Sequence, residues 1–435
     1  MDLLKIKFQE KAVAKAAVIK DLLKEHGKKV IDEVTLEQAF GGMRDIISMV
    51  WETSLLDAEE GIRFRGYSIP ELKQLLPTSA DDDEPLPEGI FWLMLTGDIP
   101  TTEEVRWLSD EWERRRAIPD QVFKTLETLP ISTHPMTQFS TAILVMQSDS
   151  VFAKRYNEGM PKSEYWDATY EDAMNLIARL PLIAAYIYRR VYYNGNHIAP
   201  DDSLDWAANY AHMLGFNTPD FKSLMRLYMT IHADHEGGNG SAHTCHLVGS
   251  MLSDPYLSLS AAMNALAGPL HGLANQEVIK WIFNLCDSIG TTKPTAQQID
   301  DYVRKTIDGG KVVPGYGHAV LRKPDPRFIA QMEFAKKYIP SDDYVNVVWK
   351  LYEVVPSILQ SLGKIKNPYP NVDAHSGALL VHYGLKEYSY YTVMFGVSRA
   401  LGVLAQQCWS RALGFPLERP KSITSDLAIQ MVAAS

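Results

Sequence analysis

The sequence predicts an all-α protein with at most a minor β-hairpin. Apolar residues recur at three- and four-residue spacing along nearly the whole chain, strand-like alternation is confined to short pieces, and helix start and stop signals are frequent. The 435 residues exceed what one hydrophobic core usually reaches, so two domains are expected.

The elements follow in order. Leu3 to Leu23 carries apolar groups at helical spacing, and Gly27 stops the helix. Ile62 to Tyr67, beside Met49 to Ser54, alternates and reads as one small hairpin. The acidic run Asp81 to Glu84, bounded by prolines, reads as a solvated loop. Thr101 and Glu104 form a capping-box pair. Pro181, inside the long pattern Tyr165 to Val191, predicts a kink or break. Thr218-Pro219 opens a helix through Leu227 toward His232, and another starts near Asn275. No linker rich in Gly, Ser or Pro divides the chain. Glycine and proline cluster instead at Gly237 to Gly240, Gly309 to Gly317 and Asn367 to Pro370, close to the chemically interesting residues.

Composition narrows the function. Lys plus Arg total 43 against 53 Asp plus Glu, a net charge of −10, which disfavours nucleic acid or an anionic membrane as partner. An anionic substrate must then be held by a local basic pocket. Cys245, Cys286 and Cys408 make no paired framework and read as small core residues of a reducing compartment. The most membrane-like stretch, Tyr390 to Trp409, is interrupted by Arg399 and Gln406-Gln407, so no span is expected. No signal peptide is expected from MDLLKIK, and Ala433-Ala434-Ser435 is no peroxisomal tripeptide.

Five segments carry candidate chemistry. IHADHEGGNGSAHTCH holds His232, His235, His243 and His246, whose spacing of three places each pair near one helix face. An anion or carbonyl site leads there, ahead of core or capping histidines, with a metal site third because HExxH is missing. In GPLHGLANQEV, His271 sits in a Gly-Pro break just before a helix, placed either to polarise a carbonyl oxygen or to cap a turn. KVVPGYGHAVLRKPDPR lacks the third glycine of a dinucleotide fingerprint, yet exposes backbone amides beside His318, Arg322 and Arg327, a loop able to wrap adenine and phosphates. In KNPYPNVDAHSG, Asp373 stands in apolar company, which would raise its basicity; a helix N-cap is the alternative. Arg399, within an apolar helix and with no acid inside one turn, calls for a bound carboxylate or a structural ion pair. Arg419, in GFPLERPKS, lies on a loop where a surface role is the default.

Taken together, DHEGGN, SAHT, GPLHGLANQEV, VVPGYGHAVLRK-DPR, NVDAHSG, FGVSRALG and RALGFPLERPKS resemble the eukaryotic, mitochondrial-type citrate synthases, from about Gly41 to Ser422. GGMRD, EEGIRFRGYSIPE and EPLPEGIFWLMLTG extend the likeness. Departures are Gly240, Pro324 and Asp45, with a loose match around Lys162, where the family places a basic residue reaching the partner's coenzyme. The resemblance implies a homodimer with a large helical domain (residues 1–273 and 381–435) and a smaller one (residues 274–380) that closes over the substrates. It implies condensation of acetyl-CoA with oxaloacetate and hydrolysis of citryl-CoA, the entry step of the tricarboxylic acid cycle, in the mitochondrial matrix, with acetyl-CoA as co-substrate and no permanently bound cofactor.

Roles follow from it. Asp373 would take the methyl proton, His271 would stabilise the enol or enolate, and His318 would polarise the oxaloacetate carbonyl. His235, His318, Arg327, Arg399 and, across the dimer, Arg419 would bind the dicarboxylate. Arg44, Leu270, Val312, Val313, Gly315, Tyr316, Gly317, Ala319, Arg322, Lys364 and Lys366 would border the coenzyme. The rivals are a 2-methylcitrate synthase using propionyl-CoA, a metal-dependent hydrolase built on His232 to His246, and a non-catalytic structural role for the same fold.

Overall fold

The computed structural model describes residues 2–363 and 365–433, so the Lys364 expectation and the last two residues lie outside the described chain. Helices dominate. The first, Leu3–His26, is capped by the Asp2 carboxylate, which accepts from the Lys5 N–H at 2.9 Å, and Gly27 follows its end. Only Leu4, Phe8 and Ala12 of this helix are buried, while Val13, Val18, Leu22 and Leu23 stay exposed. The helix Thr102–Arg115 opens on the predicted Thr101–Glu104 capping box, and Pro219–Ile231 on Thr218.

The sheet differs from expectation in place. Strand β1 (Ser54–Asp57) pairs antiparallel with β2 (Gly61–Phe64), Leu56 opposite Ile62, and β2 pairs with β3 (Tyr67–Ser68). In the stretch before Ser54 the Glu52 backbone N–H, a donor a ladder would use, goes instead to Gln406 Oε1 at 2.7 Å. Trp51 Nε1, Thr53 Oγ1 and Ser54 Oγ all donate to Asp234, at 2.9, 2.5 and 2.8 Å.

Pro181 also behaves differently from its prediction. The helix Tyr165–Tyr192 runs through it unbroken. Proline leaves the Ile177 carbonyl without an intrahelical donor, and the Trp206 indole N–H fills the gap at 3.0 Å. The acidic run is likewise only partly solvated. Asp82 pairs with Arg226 at 2.6 Å, and Glu84 is buried against Lys73 at 3.1 Å.

At the centre lies Tyr391–Ala412, buried along nearly its whole length and packed on Tyr165–Tyr192, Pro87–Thr96, Gly240–Ser250 and Pro255–Leu266. This is the stretch that looked most like a membrane span; no helix among the described residues is long and apolar enough to cross a membrane. The three cysteines are buried and unpaired. A second group of helices, Ala274–Ile289, Ala296–Asp308, Pro326–Tyr338, Asp343–Ser361 and Asp373–His382, packs mainly on itself.

Two loops of that second group are zipped together by backbone bonds. The Gly317 N–H donates to the Tyr369 carbonyl at 3.0 Å, Asn371 to Gly315 at 2.9 Å, and Asp325 to Pro370 at 3.2 Å. Gly315 is needed at this junction: its φ is +78°, and a Cβ there would lie 2.9 Å from the Ala374 backbone. The glycine- and proline-rich loops are therefore fixed against each other, which sets the position of His318 relative to Asp373.

Candidate functional site

The site forms where the loop after Pro219–Ile231 meets the central helix and the zipped loops. His232 ends that helix, so His232 and His235 do not share a helix face as their spacing suggested. His232 is an internal strut: its Nδ1–H donates to the Tyr228 carbonyl at 2.9 Å, its ring stacks on Tyr228, and burial lowers its pKa to about 3. His235 is 8% exposed, with Nε2 unpartnered, and burial together with the nearby Arg327 pushes its basicity far down. A neutral imidazole with a free ring nitrogen results. Its ring centroid lies 5.5 Å from that of His318.

His318 Nδ1 accepts from the backbone N–H of Val320 at 3.0 Å and of Leu321 at 3.2 Å. Burial and then Arg327 lower its pKa to about 4, so the ring is neutral and its proton sits on Nε2, available to a substrate oxygen. His271 is arranged in the mirror sense. Its Nε2 accepts from the Ser241 backbone N–H at 3.1 Å, at the start of Gly240–Ser250, which leaves the proton on Nδ1. Burial and then Arg399 lower its pKa to about 4. One nitrogen of His271 thus caps a helix, and the other is left free to donate.

The two site arginines are held differently. Arg327 is 4% exposed and forms an ion pair with Asp325, Nη2 to Oδ2 at 2.7 Å; Asp325 also caps Pro326–Tyr338. Arg399 is 1% exposed and meets only neutral acceptors: the His232 carbonyl at 3.2 Å, Asn239 Oδ1 at 3.0 Å and Ser241 Oγ at 3.3 Å. Burial lowers its pKa to about 10, so it stays cationic at neutral pH. Asp234 and Asp373 are the acids that act on its charge. Asp373 is the first residue of its helix, and Val372 occupies the cap position, so its side chain is no N-cap. Burial raises the Asp373 carboxyl to about 6, against the pull of Arg327 and Arg399. The arrangement offers a weak acid–base group and two neutral hydrogen-bond donors, each feeling the charge of Arg327, Arg399 or both.

His235, His271, His318, Arg327, Arg399 and Asp373 are thus brought together, while Arg419 is exposed and shares no hydrogen bond or ion pair with them. Of the expected coenzyme residues, Leu270, Val312, Arg44, Ala319 and Lys366 are exposed, and Val313 is buried. The Tyr316 hydroxyl is buried without a partner, and Gly315 and Gly317 lie in the zipped loop. Arg322 folds back on its own loop, Nη1 donating to the Ala319, Val320 and Leu321 carbonyls, and its N–H donates to Ala58 at 2.7 Å. Sequence reasoning missed Ser241, Asn239, Asp325 and Asp234. Asn239 and Asp325 were findable, because each stands just before a helical pattern as a cap. His243 and His246 turn toward Glu418, and among the described residues no three His, Cys, Asp or Glu side chains are grouped to hold a metal ion.

Known structures and sequences agree on what this fold is. A citrate synthase crystal structure from Pyrobaculum aerophilum superposes with a TM-score of 0.77 at 28% identity, covering 88% of this chain and 92% of that one. The all-helical citrate synthase architecture is therefore shared. A family model described as "Citrate synthase, C-terminal domain" matches residues 42–421. "Citrate synthase, mitochondrial" from Daucus carota is 59% identical over 94% of this chain and 86% of its own length, and that from Kajikia audax is 57% identical over 96% and 89%. The chain belongs to the citrate synthase family. It is an acyltransferase acting at the entry step of the tricarboxylic acid cycle.

Proposed function

We propose that this chain condenses acetyl-CoA with oxaloacetate through Asp373, His271 and His318, then hydrolyses citryl-CoA to citrate and CoA. The observation that carries the reading is the protonation pattern: a carboxyl raised to about 6 beside two imidazoles held neutral. A methyl next to a thioester is too weak an acid for a free carboxylate at neutral pH, so proton removal must be coupled to stabilisation of the oxygen. Asp373 takes the methyl proton while the His271 Nδ1–H donates to the thioester oxygen. The enol carbon attacks the oxaloacetate carbonyl, polarised by the His318 Nε2–H, which then supplies the proton to the new alkoxide. Arg399, Arg327 and His235 hold the carboxylates, with Arg419 of the partner subunit completing the set in a homodimer. Residues 274–380 form the smaller domain that closes, excluding bulk water until condensation is finished. Leu270, the 312–322 loop, Arg44, Lys364 and Lys366 border acetyl-CoA. The matrix is the proposed compartment, on the strength of relatives named as mitochondrial.

The test is thiol release from acetyl-CoA on adding oxaloacetate, run beside propionyl-CoA and in the presence of chelator. Faster release from acetyl-CoA, unchanged by chelator, is expected. Preference for propionyl-CoA would move the chain to the methylcitrate reaction, a difference of one methylene worth about 1–3 kcal/mol. Loss of activity in chelator would sink the metal-free scheme.

A further inference from the structure

His243 and His246 belong to the four-histidine segment, yet the chemistry above uses neither. Both lie on the helix Gly240–Ser250, and with Ser250 they stand at positions i, i+3 and i+7, along one face. All three meet the same residue. His243 Nε2 is 2.8 Å from Glu418 Oε1, and His246 Nε2 is 3.8 Å from Oε2. The Ser250 hydroxyl accepts from the Glu418 backbone N–H at 3.1 Å. The chain just before this point is seated too, since Phe415 and Pro416 line a small cavity with Trp51, His246 and Gly249. Beyond it, Arg419 is exposed, with Pro420 next in sequence.

We infer that Glu418, held by hydrogen bonds to His243 and Ser250 with His246 alongside, is a positioning residue that fixes the C-terminal arm so that Arg419 is presented at a set place and angle. This rests on the proposed assignment of Arg419 to the partner subunit's oxaloacetate. An exposed arginine on a free arm would lose much of its binding contribution to the ordering of the arm, and a side-chain clip one residue away removes that cost before substrate arrives. The helix doing this holds the subunit's own site at its other end, where Asn239 and Ser241 bond Arg399 and Ser241 bonds His271. One helix therefore orders groups for its own site at one end and the arm at the other. The carboxylate accepts from the His243 ring N–H, while the backbone bond to Ser250 fixes the direction of the chain.

The test is a double-mutant cycle on the full-length protein: wild type, Glu418→Ala, Arg419→Leu and the double variant, with Glu418→Gln as the conservative control. Steady-state kinetics on both substrates are read together with Tm and dimer content by sedimentation. Glu418→Ala should raise KM for oxaloacetate about tenfold, a factor within reach of one lost charge-assisted contact, with kcat nearly unchanged. Tm should stay within about 2 °C and the dimer intact, because the side chain is not in the core. Arg419→Leu should raise the same KM further, and adding Glu418→Ala to it should do nothing more. Glu418→Gln should recover most of the loss, since its amide oxygen still accepts from an imidazole N–H. If Arg419→Leu raises KM but Glu418→Ala leaves it alone, or the two effects simply add, the clip is wrong. A dissociated or strongly destabilised Glu418→Ala dimer would also overturn it, in favour of an assembly role. If Arg419→Leu leaves the oxaloacetate KM unchanged, the assignment of Arg419 falls, and the clip with it.

Discussion

The floor and the rim of the site are built on opposite terms. At the floor, Arg399 and Arg327 are buried, the His271 and His318 rings have fixed tautomers, and the bonds that fix them exist before any substrate arrives. At the proposed coenzyme rim, Leu270 and Val312 are 102% and 82% exposed, and Lys366 and Ala319 stand in solvent. The floor is preorganised, having met its desolvation cost on folding, so small charged groups can be recognised there without reorganisation. Apolar rim groups left in water have gained nothing on folding, and can gain only when another surface covers them.

If the floor carries the chemistry, its loss should be severe and specific. Asp373→Asn should lower condensation by about 10²–10⁴-fold, as for loss of a general base, while calorimetric binding of oxaloacetate stays near wild type. Turnover within a few-fold of wild type would remove Asp373 from the mechanism.

The two arginines then separate recognition from structure. Arg399→Leu removes a guanidinium that has no carboxylate in hydrogen-bond contact, so Tm should fall less than in Arg327→Leu while oxaloacetate binding weakens roughly a hundredfold. Arg327→Leu leaves Asp325 buried and unpaired, so it should also cost about 3–5 kcal/mol of stability, read by denaturant unfolding. Equal stability losses in the two variants would mean that Arg399, too, is a structural ion pair.

Much of this contrast was legible in the sequence, and its limits have a physical cause. The Thr101–Glu104 capping box, the Thr218 cap and the helix following His271 are local, and the chain states them within four residues. Arg399 was legible because a charge in an apolar helix contradicts its surroundings. What could not be read depends on residues far apart in sequence. Gln406 takes the Glu52 backbone N–H from 354 positions away, and Asp234 ties down the side chains of Trp51, Thr53 and Ser54. Trp206 rescues the carbonyl that Pro181 orphans, and Ser241 fixes the tautomer of His271. The cap made by His271 depends on that distant Ser241, whereas the start of the helix at Asp373 alone rules out its N-cap reading.

A pH profile sharpens the floor's side of the comparison. Asp373 must be ionised to accept a proton, and burial places its carboxyl at about 6. The value of kcat/KM, which reports groups of the free enzyme, should therefore be flat above that pH and fall about tenfold per unit below it. His271 and His318, at about 4, are neutral throughout this range and add no limb of their own. A limb centred near 4 in place of 6 would mean that Asp373 is not held in the apolar setting described.

The smallest effects belong at the rim. A Leu side chain moved from water to an apolar contact contributes about 1.5–3 kcal/mol, and an exposed charge about 0.2–1 kcal/mol. Leu270→Ala should accordingly raise KM for acetyl-CoA roughly three- to tenfold, because truncation forfeits only part of that contact. Lys366→Ala should raise it less than about fivefold, with the increment fading in high salt as the charge is screened. Neither should move Tm, since neither side chain supports the fold, and neither should alter oxaloacetate binding measured without the thioester. That last measurement decides the matter. If Leu270→Ala weakens oxaloacetate alone, the loop holding Leu270 and His271 moves as a unit with the floor, and the division between a finished floor and an unfinished rim fails at the residue where the two adjoin.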